Sequence, residues 1–216
     1  RSAHFFIGNE HHSLNIETGK LAKVVSLVKG VTLTRWENGQ YVTRRNQTLP
    51  KARKPITYFT NLIAGDYHYF RSFAGFLIGR VQLSTGRVEY LQVPVQVLRK
   101  KNAKEEMYWK KTLPNDMKNA DGYRATQDKR NAGDGWGHVS AASPIVVGNR
   151  MYIPTMVGTV YVINWRSKVL DQSALVSVSD LGLAGKTWTL SSLSYSESRL
   201  YARTLKELIC LGDQGQ

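Results

Sequence analysis

Three observations predict an all-β chain made of repeated small antiparallel sheets. Apolar residues alternate, or come in short runs, along nearly all of the 216 residues, which is the strand pattern. Gly, Asn, Asp and Ser interrupt those runs at close intervals, where hairpins need tight turns. One block, "SPIVVGNRMYIPTMVGTVYVIN" at residues 143–164, has weaker copies elsewhere in the chain.

Taken in order, "HFFIGNEHHSLNIETGKLAKVVSL" reads as three strands separated by two turns, the second with Gly19. "ENGQYVTRRNQTLPKARKP" follows as a polar connector. "YFTNLIAGDYHYFRS" places a tight turn at Ala64-Gly65-Asp66 between apolar flanks, and "GFLIGRVQLSTGRVEYLQVPVQVL" adds two strands around Thr85-Gly86. Residues 99–138 are the least repetitive stretch, polar and rich in Asn, Asp, Lys and Gly, and read as a long surface insertion. Within it "NAKEEMYWKK" predicts one short helix, capped by Asn102 and carrying acidic residues in its first turn. After the 143–164 block, "SSLSYSESRLYARTLKELICLG" gives three short strands broken at Glu197-Ser198 and Leu205-Lys206.

Overlaying these segments aligns Phe6, Tyr69, Tyr152 and Tyr201 at one position of a shared plan: strand, turn, strand, Gly break, strand. A small sheet of this kind cannot bury both faces alone and must stack on its neighbours, as the blades of a β-propeller do. The expected fold is therefore a partial β-propeller of about four four-stranded blades in a single segment, 1–216, with blades near 1–30, 56–98, 139–180 and 186–213 and the insertion at 99–138. A two-sheet sandwich is the alternative if the repeat is coincidence.

Net charge is +14, from 30 Lys and Arg against 16 Asp and Glu. The basic residues are scattered over polar connectors, the pattern of a solvated surface, and they permit an acidic polymer or glycan as partner; nucleic acid is not expected. No run approaches the ~20 apolar residues of a membrane helix. Cys210, the single cysteine, lies in the strand-like "ELICLGD", where a buried inert thiol is the default.

The block at 143–164 resembles the repeat of PQQ-like, or quinoprotein-type, β-propellers: a Ser-Pro opening, a hairpin, a Gly-Thr-Val-Tyr strand and an Ile-Asn end. "SLNIETGKLAKVV" and "VQLSTGRVEYL" resemble that repeat's closing turn and following strand, with Asn15 where the family has Asp. The resemblance implies four-stranded blades around a central axis, in rings that often close with about seven or eight of them. This chain is then expected to be part of a larger ring, completed by further sequence or by another chain; a four-bladed ring is the alternative. It also implies an exported or periplasmic, cell-envelope location in a bacterium, and a non-catalytic binding or scaffolding module whose partner is a protein or the rest of the propeller.

The other function the resemblance implies is a piece of a PQQ-dependent dehydrogenase, holding PQQ with Ca²⁺ on the axis beside a stacked Trp and an Asp base. For that reading "NAGDGWGH" supplies Asp134 as base, with Trp136 and His138 as cofactor contacts. The plainer reading is a Gly-rich loop whose Trp caps the next blade, with no cofactor and no metal site. The Cys pair common in such dehydrogenases is absent. His11 and His12, adjacent on a strand, point to opposite faces and make a poor chelate, so a surface turn is expected there; Asp66 and His68 sit at a hairpin turn and the strand after it.

Overall fold

A computed structural model describes residues 1–50, 57–72, 75–98, 105–110, 112–127 and 142–212. The chain divides into two compact units: residues 1–58 with 63–93 and 168–172, and residues 59–62 with 94–167 and 173–216.

The first unit opens with β1 (Ser2–Ile7), β2 (Glu10–Asn15) and β3 (Leu21–Ser26), a meander in chain order. Ile7 pairs with Glu10, so two residues, Gly8 and Asn9, make the whole first turn. A second sheet holds β4 (Val31–Glu37), β5 (Gln40–Gln47), β6 (Thr57–Ala64), β7 (Tyr67–Ser72), β8 (Leu77–Gln82) and β9 (Val88–Gln92), in the order β5-β4-β9-β8-β7-β6. Strands β6 to β9 are thus the expected four-stranded meander, and a hairpin extends it. The connector expected at "ENGQYVTRR" is in fact that hairpin's turn and second strand. Asn38 and Gly39 carry positive φ of 49° and 86°, the two-residue turn that favours Asn-Gly, and Thr34 pairs with Thr43 across it. The hairpin joins the meander through a parallel pairing of β4 with β9, Leu33 against Tyr90. Leu27, Val31, Leu33, Phe70, Val81 and Tyr90 form the buried cluster of this unit, with Phe6 and Val25 packed on it.

In the second unit β10 (Gln96–Leu98) pairs antiparallel with β11 (Glu106–Tyr108). This corrects the helix expected over 102–111: where that stretch is described it is a strand, because β10 offers a ladder to Glu106, Met107 and Tyr108, and the Val95 amide donates to the Tyr108 carbonyl at 2.6 Å. Inter-strand pairing overrides a short segment's weak helix preference. Among the described residues of the insertion, a single 3-10 turn forms at Ala125–Gln127.

Next come β12 (Ile145–Val147), β13 (Arg150–Pro154), β14 (Thr159–Asn164) and β15 (Leu175–Asp180), a four-stranded antiparallel meander. The last sheet, β16 (Ser194–Ser196), β17 (Arg199–Arg203) and β18 (Leu208–Leu211), has three strands. Val147 pairs with Arg150, and Ser196 with Arg199, so both copies turn on two residues. Glu197 and Ser198 adopt positive φ of 48° and 62° to do what Gly148-Asn149 does in the cleaner copy. Val160, Leu181, Leu193 and Ala202 are buried together, with Tyr152 and Ile209 packed against them. The Tyr161 hydroxyl donates to the Pro94 carbonyl at 2.7 Å, and the Thr159 hydroxyl to that of Val95 at 3.1 Å.

The fold is all-β and built of up-and-down sheets of the β-propeller blade type. Among the described residues two are four-stranded meanders, one of them extended by a hairpin, two have three strands, and β10 with β11 makes a two-stranded one. Among the described residues no helix is long and apolar enough to cross a membrane.

Candidate binding surface

The second unit carries a surface built around one turn, Thr204 to Glu207, between β17 and β18. The turn is fixed by its own backbone and by its neighbours. The Thr204 hydroxyl accepts from the Lys206 and Glu207 amides at 3.2 and 3.0 Å, and the Thr204 amide donates to the Glu207 carbonyl at 2.8 Å. The Leu205 amide donates to the Trp188 carbonyl at 2.9 Å, and the Thr189 hydroxyl to the Arg203 carbonyl at 2.5 Å. Trp188 is buried with Met117, Met156 and Val157, so the segment under the turn belongs to the core.

A cavity of about 460 Å³ opens here, lined by Thr189 to Ser191 and by Arg203 to Leu208. A second, of about 320 Å³, shares Thr204, Lys206 and Glu207 with it and adds Met117, Leu183 and Lys186. Four leucines of these walls face solvent: Leu208 is 75% exposed, Leu183 63%, Leu190 44% and Leu205 41%. Hydrogen bonds to the buried Trp188–Thr189 segment hold the turn in place, and covering an exposed leucine is worth about 1 kcal/mol or more. Arg203, Lys206 and Lys186 add positive charge, while Glu207 is the acidic wall residue. Lys186 donates to Asp116 at 2.6 Å, and that bond holds the Asp116 carboxyl below its ordinary pKa.

Asp134, Trp136 and His138 lie outside the described residues. Among the described residues no three His, Cys, Asp or Glu side chains are grouped to hold a metal ion. Cys210 corrects the expectation of a buried thiol. It is exposed, because it follows Ile209 on β18 and so points to the face opposite the one that packs on the core. His11 also differs from expectation: it sits inside β2 rather than in a surface turn, and is 2% exposed. His12 points to the opposite face, as adjacent strand residues must, and bonds Glu10 at 3.0 Å. Asp66 is structural. Its carboxylate accepts from the Ser84 hydroxyl, the Ser84 amide at 2.9 Å and the Gln82 amide group at 3.0 Å, and these bonds, led by the Ser84 hydroxyl, lower its pKa.

Sequence reasoning missed the leucine-walled turn. "TLKE" reads as a strand break, and the signal within reach was an apolar residue, Leu205, placed inside a turn, where polar residues are the rule.

No protein-family model matches the chain, and no curated protein sequence matches it. Among solved structures it is similar to BamB from Moraxella catarrhalis, at 12% identity and a TM-score of 0.27, over 97% of this chain and 66% of that one. It is similar at 12% identity and a TM-score of 0.27 to the computationally designed Ika8 protein, over 98% of this chain and 70% of that one. The chain thus spans about two thirds of the length of the BamB chain, 66%.

Proposed function

We propose that the chain is a non-catalytic binding or scaffolding segment of a PQQ-like β-propeller, and that it docks a protein partner on the Thr204–Glu207 surface. The observation that carries this reading is the set of solvent-facing leucines, Leu183, Leu190, Leu205 and Leu208, gathered on and around a turn that is bonded to the buried Trp188–Thr189 segment. Apolar surface held rigid and rimmed by charge is what a docking site needs, since little ordering entropy is lost on binding. Arg203, Lys206 and the overall +14 charge favour a partner with an acidic rim.

The repeat resemblance supports placing the sheets as blades in a larger ring and the protein in the bacterial cell envelope. This reading gives the chain no cofactor; PQQ with Ca²⁺ belongs to the dehydrogenase reading.

The test is the paired substitution Leu205→Glu and Leu208→Glu, compared with Tyr123→Glu. Tyr123 is 64% exposed and lines neither cavity. In a co-purification from the native host, one partner of constant mass should be lost with the leucine pair and kept with the tyrosine variant, while circular dichroism is unchanged in both. Retention of that partner by the leucine pair overturns the assignment of the surface.

A further inference from the structure

The first unit buries two histidines in contact. His11 on β2 is 2% exposed and His68 on β7 is 1% exposed, and their Nε2 and Nδ1 atoms lie 3.1 Å apart. They belong to different sheets, β2 to the three-stranded meander and β7 to the six-stranded one. Their surroundings are aromatic. The Phe6 ring lies 4.4 Å from that of His68 and 5.2 Å from that of His11, and Phe70 lies 4.9 Å from Phe6. His4, on β1, stacks on His11 at 5.4 Å. Its Nδ1 is itself engaged by the Ser13 hydroxyl at 2.9 Å.

A hydrogen bond between two imidazoles needs one ring to donate an N–H and the other to offer a lone pair. Both rings are therefore neutral in this structure, or share a single extra proton. Adding the first proton puts a cation among Phe6, Phe70 and Val81, the cross-strand partner of His68. Adding the second leaves an N–H on both facing atoms and removes the acceptor, so the bond is lost.

Among the described residues, the charged groups that lower the pair's affinity for protons are His4 on β1, His12 on β2 and Lys23 on β3, each cationic when charged. The carboxylate near them, Glu10, bonds His12.

From this arrangement we infer that the His11–His68 contact is a proton-operated latch that holds the β1–β3 meander to the six-stranded sheet and releases it on acidification. Burial, followed by the neighbouring histidines, pushes His11 down to about 4 and His68 down to about 3, from an ordinary value of 6.5. The released state, with both rings in water, titrates near that ordinary value and binds more protons between pH 6.5 and 4. Stability of the latch is then complete above about pH 6.5 and falls as the pH drops below it. By pH 5 the two groups together shift the opening equilibrium by about three powers of ten, roughly 1.5 for each.

The experiment is hydrogen exchange of the whole chain at pH 7.5 and at pH 5, corrected for the intrinsic pH effect, together with His ring shifts followed by NMR over the same range. Amides of β2 should lose protection by up to about 1,000-fold at pH 5, with a much smaller loss in the double variant H11Q/H68Q, where His4 alone of these three rings remains. Unchanged β2 protection in the wild type, or an equal acid loss in the double variant, overturns the latch. Should the double variant fail to fold, the ring shifts decide alone. His11 and His68 staying neutral to below pH 5 while the unit is closed supports the latch; titration of either near pH 6.5 in the closed unit contradicts it.

Discussion

Removing the Glu89 carboxylate should be among the most damaging single changes to the first unit. The Arg80 guanidinium is fully buried, with 0% of its side chain exposed, and Glu89 is 3% exposed. Both Nε and one terminal nitrogen of Arg80 reach the same Glu89 oxygen at 2.7 Å. The remaining terminal nitrogen donates to the Tyr69 hydroxyl at 2.9 Å, and the guanidinium carbon lies 3.9 Å from the centre of the Tyr67 ring. Glu89→Ala takes the carboxylate away from a buried cation that keeps the Tyr69 hydroxyl and the Tyr67 ring face. Stranding one member of a buried pair costs about 3–5 kcal/mol. With a urea slope of about 2 kcal/mol per molar, the unfolding midpoint should fall by roughly 2 M. Glu89→Gln keeps the shape and one acceptor, and should lose about 1.5–3 kcal/mol. The paired change Arg80→Met and Glu89→Leu removes both charges together and should recover most of the loss. Urea unfolding of the four proteins, followed by fluorescence, is the assay. A loss below about 1 kcal/mol for Glu89→Ala, or a double variant no better than the single ones, would refute the claim that the pair is dry and mutually dependent.

Further outcomes follow from single contacts. A Cβ on Gly79 would run into the Phe70 ring and stand 2.8 Å from the Tyr90 ring, so Gly79→Ala should cost about 1–3 kcal/mol by overpacking, read in the same urea assay. Tyr161→Phe removes the hydroxyl that donates to the buried Pro94 carbonyl and should cost about 1–3 kcal/mol, measured by thermal unfolding. The Glu37–Arg44 pair is solvent-screened, so Glu37→Gln should leave the urea midpoint nearly unchanged, and any difference should shrink further in 1 M salt. Added PQQ and Ca²⁺ should leave the absorbance spectrum of the pure protein unchanged; a shifted spectrum with dye-linked alcohol oxidation would favour the dehydrogenase reading instead.

The blade plan was readable because it depends on local chemistry. Two-residue turns at Gly8-Asn9, Gly65-Asp66, Gly148-Asn149 and Glu197-Ser198 lie between alternating apolar runs, and all four are hairpin turns in the structure. Two errors came from partners distant in the chain. The polar Gln40–Gln47 stretch looks like a connector until β4, its hairpin mate, is seen docked in parallel on β9. Glu106 to Tyr108 looks helical until β10 offers its edge. The site was less legible than the fold. What distinguishes Leu205 and Leu208 from core leucines is their place in the β17–β18 turn and at the start of β18, which apolar periodicity alone does not show. His11 and His68 are 57 residues apart and carry no motif, so their contact follows from sheet packing alone.

The proposed docking surface is tested most directly by placing a photo-crosslinking amino acid at Leu208, and separately at Tyr123, in the native host. The account predicts one adduct of defined mass from Leu208, reduced when Lys206 is changed to Glu, and no such adduct from Tyr123. Equal adducts from both positions, or none from Leu208 in a folded protein, would contradict it.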